Sequence, residues 1–287
     1  MSRDCPVVLG AVAYDAKVVN IWEGFRAWFH QNGLATDFIL FSNYERQVEA
    51  LIGGRIDVAW NSPLAWVRSS RLARALGFEV KPIVMRDTDR DLASVIIARA
   101  DGLLRSVDDL RGCTIATGAI DSPQATILPV QLLKSAGLIP DLDVYLRRSS
   151  IGIGLHGDHI GGEREAARAL VGGSVEAACI ADGNHLLFAQ EGTLPAGSTR
   201  VIAETPLYDH CMLTSGPAAD WSSIERLSDL MLGMEYSDPA VRPLFDLEGL
   251  TAWVPGRTSG FGQLEAAVDS ELFYDEKGTI TAVDYRP

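Results

Sequence analysis

The chain has 287 residues, of which 47% are hydrophobic and 22% charged, so it is long enough for two globular domains or one large α/β domain. Its formal net charge of −13 disfavours binding to a phosphate backbone, and no long basic cluster offsets that charge, so we expect no nucleic-acid partner. No stretch approaches the roughly 20 apolar residues that cross a bilayer, and we expect no membrane insertion.

The N-terminus and the cysteines bear on the cellular compartment. The first residues lack an apolar core behind a basic start, so the sequence as written predicts a cytoplasmic protein. A trimmed mature form would instead be periplasmic. The widely spaced cysteines favour free, mostly buried thiols over a disulfide or zinc framework. They are Cys5, Cys113, Cys179 and Cys211.

Strands and helices alternate through the first third of the chain. An apolar run at 7–12 predicts a strand, and the apolar residues at helical spacing after it predict a helix that ends at Gly33. The next predicted elements are a strand at 37–41, a helix from about 42–45 to 53–54, a strand at 56–60, a helix to about 77, a strand at 80–85 and an alternating strand at 92–98.

The same alternation continues in the second part. The predicted elements are a helical turn from 106, a strand at 113–117, a helix at 123–137, a strand at 144–147, a helix at 163–171, a strand at 175–181, a helix at 184–190, strands at 200–204 and 211–214, a largely helical stretch at 222–247 and a looser, turn-rich tail. Strands that alternate with helices indicate βαβ units, so the predicted fold class is α/β with mainly parallel sheets. Ligands of such sheets bind beyond the carboxyl ends of the strands.

Two strand-to-helix turns share one design, Trp60-Asn61-Ser62-Pro63 and Asp121-Ser122-Pro123-Gln124. In each turn the serine is placed to cap the helix and the proline to occupy its first position. The remaining N–H groups and the positive end of the helix dipole can bind an anion. Serine-proline pairs are also ordinary helix starts, so the ligand-binding and the purely structural interpretations both stay open.

A glycine-rich loop carries His156, Asp158 and His159, followed by Glu163. The spacing lacks the geometry of a helical zinc motif, so we expect no metal here and favour a histidine that contacts a ligand or a structural loop. Asp182 follows a predicted strand and could accept a hydrogen bond from a ligand or cap the next helix.

Two further features bear on the ligand. Tyr14 follows the first strand and offers ring area and a hydroxyl, so we include it among the candidate binding residues. The chain has no GxSxG motif, which disfavours a nucleophilic serine. Trp60 and Trp66 are expected in the core or in a ligand-cleft wall.

Six segments carry a resemblance to a known family. They are GAVAYDAK at 10–17, EALIGGRIDVAWNSPLAWV at 49–67, SVIIARADGLLRSVDDLRGCTIA at 94–116, DSPQATILPVQLLKSAGL at 121–138, ALVGGSVEAACIADG at 169–183 and ETPLYDHCMLT at 204–214. Their order and spacing resemble the phosphate/phosphite/phosphonate-binding proteins of ABC importers, which have the type II periplasmic binding-protein fold. The resemblance covers roughly residues 9–254.

The resemblance implies two α/β lobes, with 1–91 plus 210–287 as lobe 1, 92–209 as lobe 2, and a ligand cleft between them. It implies that Asn61 and Ser62 face the ligand from one lobe, and that Ser122, Gln124 and Thr126 face it from the other. The family's oxyanion turn is typically Ser-Thr-Ser-Gly, whereas here Pro123-Gln124-Ala125 separates the two hydroxyl residues.

The expected function is that of a binding protein for a small phosphonate-like or carboxylate-like anion, without cofactor or chemistry of its own, and with an ABC transporter permease as partner. The alternative is a cytosolic lyase or decarboxylase that acts on a cyclic or aromatic carboxylic acid on the same fold. In that case His156 or His159 would form an acid–base pair with Asp182. A ligand sensor is a third hypothesis, with no sequence feature in its favour.

Overall fold

The structure is a computed structural model, and it describes residues 6–287, so Cys5 lies outside the described residues. The chain forms two compact units. Unit 1 comprises residues 6–90, Asp209–Phe261 and Tyr274–Ile280, and unit 2 comprises Asp91–Tyr208, Gly262–Phe273 and 281–287.

The elements alternate as the sequence pattern predicts. The strands are β1 (Val7–Val12), β2 (Thr36–Phe41), β3 (Val58–Asn61), β4 (Lys81–Arg86), β5 (Ser94–Arg99), β6 (Thr114–Thr117), β7 (Tyr145–Arg148), β8 (Ala177–Ala181), β9 (Thr199–Glu204), β10 (Met212–Ser215) and β11 (Trp253–Pro255). The α-helices are α1 (Lys17–Gln31), α2 (Tyr44–Ile52), α3 (Pro63–Ala75), α4 (Leu128–Ser135), α5 (Gly161–Val171), α6 (Asp182–Gln190), α7 (Trp221–Leu232), α8 (Arg242–Glu248) and α9 (Gly262–Ser270). Within residues 6–287, no helix has the length and apolar character needed to cross a bilayer.

Unit 1 is built on a six-stranded sheet with the order β11-β4-β10-β3-β1-β2. Strand β1 pairs in parallel with β2 and with β3. Strand β10 lies antiparallel between β3 and β4, which makes β4 point the same way as β3. The sheet is therefore mainly parallel, and the carboxyl ends of β1, β2, β3 and β4 lie along one edge.

An aromatic cluster fills the core of unit 1. Trp60 packs edge-on against Trp253, with ring centroids 5.5 Å apart, and also against Trp22 at 6.4 Å. Such pairs add about 0.5–1.5 kcal/mol each beyond the burial of their area. Trp60 is therefore a core residue. All six tryptophans lie in unit 1, at Trp22, Trp28, Trp60, Trp66, Trp221 and Trp253.

Unit 2 is built on a five-stranded sheet with the order β7-β6-β8-β5-β9. Strand β5 is antiparallel to both of its neighbours, while β6 is parallel to β7 and β8. The sequence pattern predicts alternating exposure for the strand at 92–98, but β5 is buried along both faces. The reason is that α5 covers one face of the sheet and α4 the other, which makes a central strand apolar on both sides.

The tail is divided between the two units, whereas the predicted first lobe takes all of 210–287. Residues 262–273 and 281–287 belong to unit 2. Glu271, the residue that follows α9, forms an ion pair with Lys134 of α4, with 2.6 Å between Lys134 Nζ and Glu271 Oε1. The ring of Tyr285 packs on Phe273, with centroids 4.9 Å apart.

The predicted helical stretch at 222–247 is interrupted. Helix α7 stops at Gly233, and α8 starts only at Arg242, after Pro239. Because proline lacks an N–H and restricts the residue before it, a continuous helix is excluded there. The tail expected to be loose contains β11 and α9.

Candidate functional site

In each unit the sheet order reverses around one strand, and this locates the ligand-binding edge. In unit 1 the chain passes from β1 to β2 on one side and then to β3 on the other side of β1. In unit 2 it passes from β6 to β7 and then to β8 on the other side of β6. Crevices for ligands form at the carboxyl ends of strands at such reversal points. In unit 1, Tyr14 follows β1, and the turn at 61–63 comes at the end of β3.

The Ser62 turn has the predicted helix-start geometry. Ser62 is extended, with φ −64° and ψ 165°, and its Oγ accepts a hydrogen bond of 3.1 Å from the N–H of Ala65. Pro63 occupies the first helical position. This cap fixes the direction in which α3 leaves the sheet.

Asn61 braces the interior of unit 1. Its side chain is fully buried, its Oδ1 accepts from Gln47 Nε2 at 3.0 Å, and its Nδ2 donates to Ser69 Oγ at 3.3 Å. Gln47 also donates to the carbonyl of Trp60. The amide thus joins α2 to α3 behind the strand end. Tyr14 is half-buried, with Lys17 Nζ 5.9 Å from its ring centroid.

The Ser122 turn of unit 2 is more elaborate. Ser122 Oγ accepts from the N–H of Ala125 at 3.2 Å, and the Ser122 carbonyl accepts from Ile127 at 3.0 Å, which is the five-residue spacing of a π-turn. Pro129 lacks the N–H that would bond the carbonyl of Ala125, and that carbonyl accepts from Gly118 instead. The predicted helix at 123–137 therefore begins with a π-helical segment, Pro123–Ile127, which leads into α4.

Two side chains of this segment have polar atoms that are buried without a hydrogen-bond partner. They are Thr126 Oγ1 and Gln124 Oε1, and both residues are 4% exposed. Gln124 Nε2 donates to the carbonyl of Gly157 at 2.9 Å, which fixes the orientation of the amide. An unpartnered buried polar atom costs free energy unless a ligand or water completes it. These two atoms mark the turn as a candidate binding site.

The glycine-rich loop packs directly on this turn. Asp121 Oδ2 accepts from the N–H of Gly154 at 2.7 Å and from that of His156 at 3.1 Å. Gly157 has φ +81°, and a Cβ there would lie 2.6 Å from Ser122 Oγ. Only glycine fits so close to the hydroxyl in this backbone conformation.

The Asp121 carboxyl is held in an unfavourable environment for charge. Burial raises its pKa, and the charge of His156 together with the two backbone N–H groups opposes that shift. Its Oδ1 atom has no hydrogen-bond partner. Burial of the Asp121 carboxylate thus costs desolvation free energy, and its two hydrogen bonds hold the backbone of the loop in place.

The structure does not bring the two loop histidines together. His156 is fully buried, with φ +48°, and its Nε2 lies 3.2 Å from the hydroxyl of Tyr285. His159 is exposed, and its Nδ1 accepts from the N–H of Gly161 at the start of α5. Asp182 is exposed and accepts from the N–H of Gly183, while Ala181 occupies the N-cap of α6.

Sequence reasoning named Glu163 only beside the loop histidines, and it missed the buried polar cluster that Glu163 forms at the same edge of unit 2. Glu163 Oε2 accepts from the N–H of Ala181 and from Asn184 Nδ2, both at 2.8 Å. The hydroxyls of Ser94 and Tyr208 lie 3.0 Å apart and are buried. Tyr208 lies in the segment at 204–214 that carries part of the family resemblance. Only the three-dimensional structure shows that its hydroxyl meets that of Ser94.

Comparison with known protein families identifies the class of protein to which this chain belongs. The family model of phosphonate-binding periplasmic substrate-binding proteins of ABC transporters matches residues 11–261. The chain belongs to this family. Its members are solute-binding components of transporters, so the predicted function class is confirmed. None of the curated proteins compared with the chain matches it in sequence.

Solved structures of family-like proteins share the fold. PhnD1 from Prochlorococcus marinus (MIT 9301), in complex with methylphosphonate, has a TM-score of 0.68 and 14% identity over 92% of this chain and 97% of its own. XAC2383 from Xanthomonas citri, bound to ATP, has a TM-score of 0.70 and 17% identity with the same coverage. The periplasmic aliphatic sulphonate-binding protein SsuA from Escherichia coli has a TM-score of 0.59 and 16% identity over 98% of this chain and 96% of its own. At these identities the similarity establishes the fold, and the predicted type II periplasmic binding-protein fold is confirmed.

Proposed function

We propose that this family member binds a small oxyanion of the phosphonate or carboxylate class at the Ser122 turn of unit 2. The observation that carries the proposal is the hydroxyl of Thr126, which is buried and has no hydrogen-bond partner. Leaving such a group unsatisfied costs about 1–3 kcal/mol. A ligand oxygen that accepts the hydroxyl hydrogen would remove that cost and gain a charge-assisted hydrogen bond.

Ser122 and Thr126 lie four residues apart, on the same face of the helical segment. Because Ser122 Oγ accepts from the N–H of Ala125, its own hydrogen is available for a ligand oxygen. The helical stretch runs from Pro123 to Ser135, and the positive end of its dipole lies at this turn. Both features favour an anion.

Gln124 favours one class of anion over another. Its Nε2 is bound to Gly157, so Oε1 is an acceptor that needs a donor from the ligand. A phosphonate monoanion carries a P–OH group and can supply that donor, whereas a sulfonate is fully ionised and has no hydrogen to give. We therefore expect phosphonates to bind more tightly than sulfonates of the same shape.

Tyr14, Asn61, Ser62, His156, His159 and Asp182 stay predictions as ligand contacts. Because the amide of Asn61 is bonded to Gln47 and Ser69, we expect it to support the strand end more than to bind ligand. We further propose that the protein works in the periplasm and delivers its ligand to a transporter permease, as the family description implies. No observation favours the lyase or decarboxylase alternative.

The test is calorimetric titration with methylphosphonate, methanesulfonate and acetate, on the wild type and on Thr126→Val. The substitution keeps the shape of the side chain and removes the hydroxyl. Losing one hydrogen bond to a charged ligand should weaken binding of the preferred anion about 10- to 150-fold.

Thr36→Val is the matched control. Thr36 Oγ1 is likewise buried without a partner, but it lies at the amino end of β2 in unit 1. Its substitution should leave affinity unchanged. Equal affinity in Thr126→Val and the wild type would place the anion elsewhere, and recovery of a chemically altered ligand in the NMR spectrum would revive the enzyme hypothesis.

A further inference from the structure

The two segments through which the chain leaves and re-enters unit 1 meet at a group of metal-ligating side chains. Asp89 lies just before the first unit boundary, and His210 and Cys211 lie just after the second. The N–H of His210 donates to the carbonyl of Asp89 at 2.7 Å, so the two segments are held side by side. In the described part of the chain, this is the one group of three such residues whose ligand atoms lie within 4.8 Å of one another.

The distances suit a small first coordination sphere. His210 Nδ1 lies 3.1 Å from Cys211 Sγ and 3.5 Å from Asp89 Oδ1. Metal–ligand bonds of 2.0–2.3 Å in a tetrahedral zinc site put neighbouring ligand atoms about 3.3–3.8 Å apart. The two distances from His210 Nδ1 are within a few tenths of an ångström of that range, and all three ligand atoms lie within 4.8 Å of one another.

The charges around the group also favour a cation. Arg86 binds both oxygens of Asp89, at 2.5 and 2.8 Å, and lies 3.3 Å from Glu248 Oε1. One guanidinium, that of Arg86, faces two nearly buried carboxylates, those of Asp89 and Glu248, so these three side chains carry an excess of one negative charge. A cation beside them would offset that excess.

Arg86 helps the site, although it is itself a cation. Its hydrogen bonds orient the Asp89 carboxylate, as outer groups orient metal ligands generally. Access is through His210, whose side chain is 12% exposed.

We propose that Asp89, His210 and Cys211 bind a transition-metal ion of the zinc type, with water as the fourth ligand. Imidazole and thiolate with one carboxylate are a donor set for zinc, and they disfavour calcium and magnesium, which take oxygen ligands alone. The ion would tie the two crossing segments of unit 1 to each other. This site is separate from the anion site proposed in unit 2.

The test uses the untagged full chain, stripped of metal with EDTA and titrated with Co²⁺. A cobalt–thiolate bond gives an intense charge-transfer absorption in the near ultraviolet, and we expect one equivalent of Co²⁺ per chain to produce it and Zn²⁺ to abolish it. Cys211→Ser should remove the band, and His210→Gln should weaken Zn²⁺ binding by more than about 100-fold, the upper range for losing a group that merely supports a ligand.

Cys113→Ser and Cys5→Ser are the control variants, because Cys113 is a half-exposed thiol of unit 2 and Cys5 lies outside the described residues. Both should keep the band. Absence of the band in the wild type, or its survival in Cys211→Ser, would overturn the proposal. Tryptophan fluorescence, which reports on unit 1, shows whether Cys211→Ser and His210→Gln are folded there, and circular dichroism does so for Cys113→Ser. If Cys211→Ser is unfolded, His210→Gln still tests the site.

Discussion

The carboxylate of Asp121 offers the sharpest test of how the glycine-rich loop is held over the Ser122 turn. Asp121→Ala removes the acceptor of two buried backbone N–H groups, those of Gly154 and His156. Each orphaned donor costs about 1–3 kcal/mol, which gives about 2–6 kcal/mol for the pair. Burial raises the pKa of Asp121, so removing the charge returns part of that cost, and we expect a net loss of about 2–4 kcal/mol.

Asp121→Asn is the matched variant, because its amide oxygen keeps the acceptor and its charge is gone. We expect its stability to stay within about 1 kcal/mol of the wild type, since both N–H groups retain a partner. The comparison separates the loss of the acceptor from the loss of the charge.

Tryptophan fluorescence does not report on Asp121→Ala, which lies in unit 2, since all six tryptophans lie in unit 1. The assay is therefore urea unfolding followed by far-ultraviolet circular dichroism, together with amide hydrogen exchange of a peptide that covers 149–161. Asp121→Ala should speed exchange in that peptide by the factor that corresponds to its lost stability, about 30-fold for 2 kcal/mol. Equal exchange in Asp121→Ala and Asp121→Asn would refute the view that the carboxylate oxygen holds the loop.

Other predictions concern both units. Arg68→Met removes the partner of a buried ion pair and should destabilise unit 1 by about 3–5 kcal/mol in urea unfolding followed by tryptophan fluorescence, whereas Arg74→Met, exposed on the same helix, should change little. Tyr285→Phe removes the hydroxyl that contacts His156 and should lower the free energy of unfolding, followed by circular dichroism, by about 0.5–1.5 kcal/mol. If the variant unfolds at the same urea concentration as the wild type, the hydrogen bond is not formed. Because the pKa of Asp121 is higher in the folded state, the wild type should lose stability relative to Asp121→Asn as pH rises from below the unfolded value of 3.8 to the raised folded value, and level off above it. A difference that does not vary with pH would contradict that shift.

Local pattern predicts most of the fold, because each element carries its own signal. The apolar run at 7–12 is β1, and the serine caps at Ser62 and Ser122 are formed as the sequence indicates. The prediction of a loose tail is wrong for a physical reason. Strand β11 and helix α9 are short and are stabilised by contacts with β4 and α4, which the local sequence does not show. Family resemblance supplied the function class, which pattern alone left open.

In the candidate site too, local sequence signals predict some residues, and contacts between distant residues determine the others. Ser122 and Gln124 could be chosen from the turn, since helix starts at strand ends are recognisable, whereas Thr126 is chosen through the family resemblance. That Asp121 would hold the loop backbone, and that His156 would be engaged by Tyr285, depends on contacts between residues 33 and 129 positions apart. No spacing rule predicts such contacts.

The position of β10 has a consequence for the order in which the protein can fold. This strand lies between β3 and β4 in the sheet of unit 1, but it is made only at Met212–Ser215. The sheet of unit 2 is complete once Glu204 has been synthesised. The sheet whose first strands leave the ribosome first is thus the sheet that is completed last. Until β10 is made, β3 and β4 have unpaired edges open to other chains. A chaperone that binds the nascent chain is expected to hold unit 1 the longest.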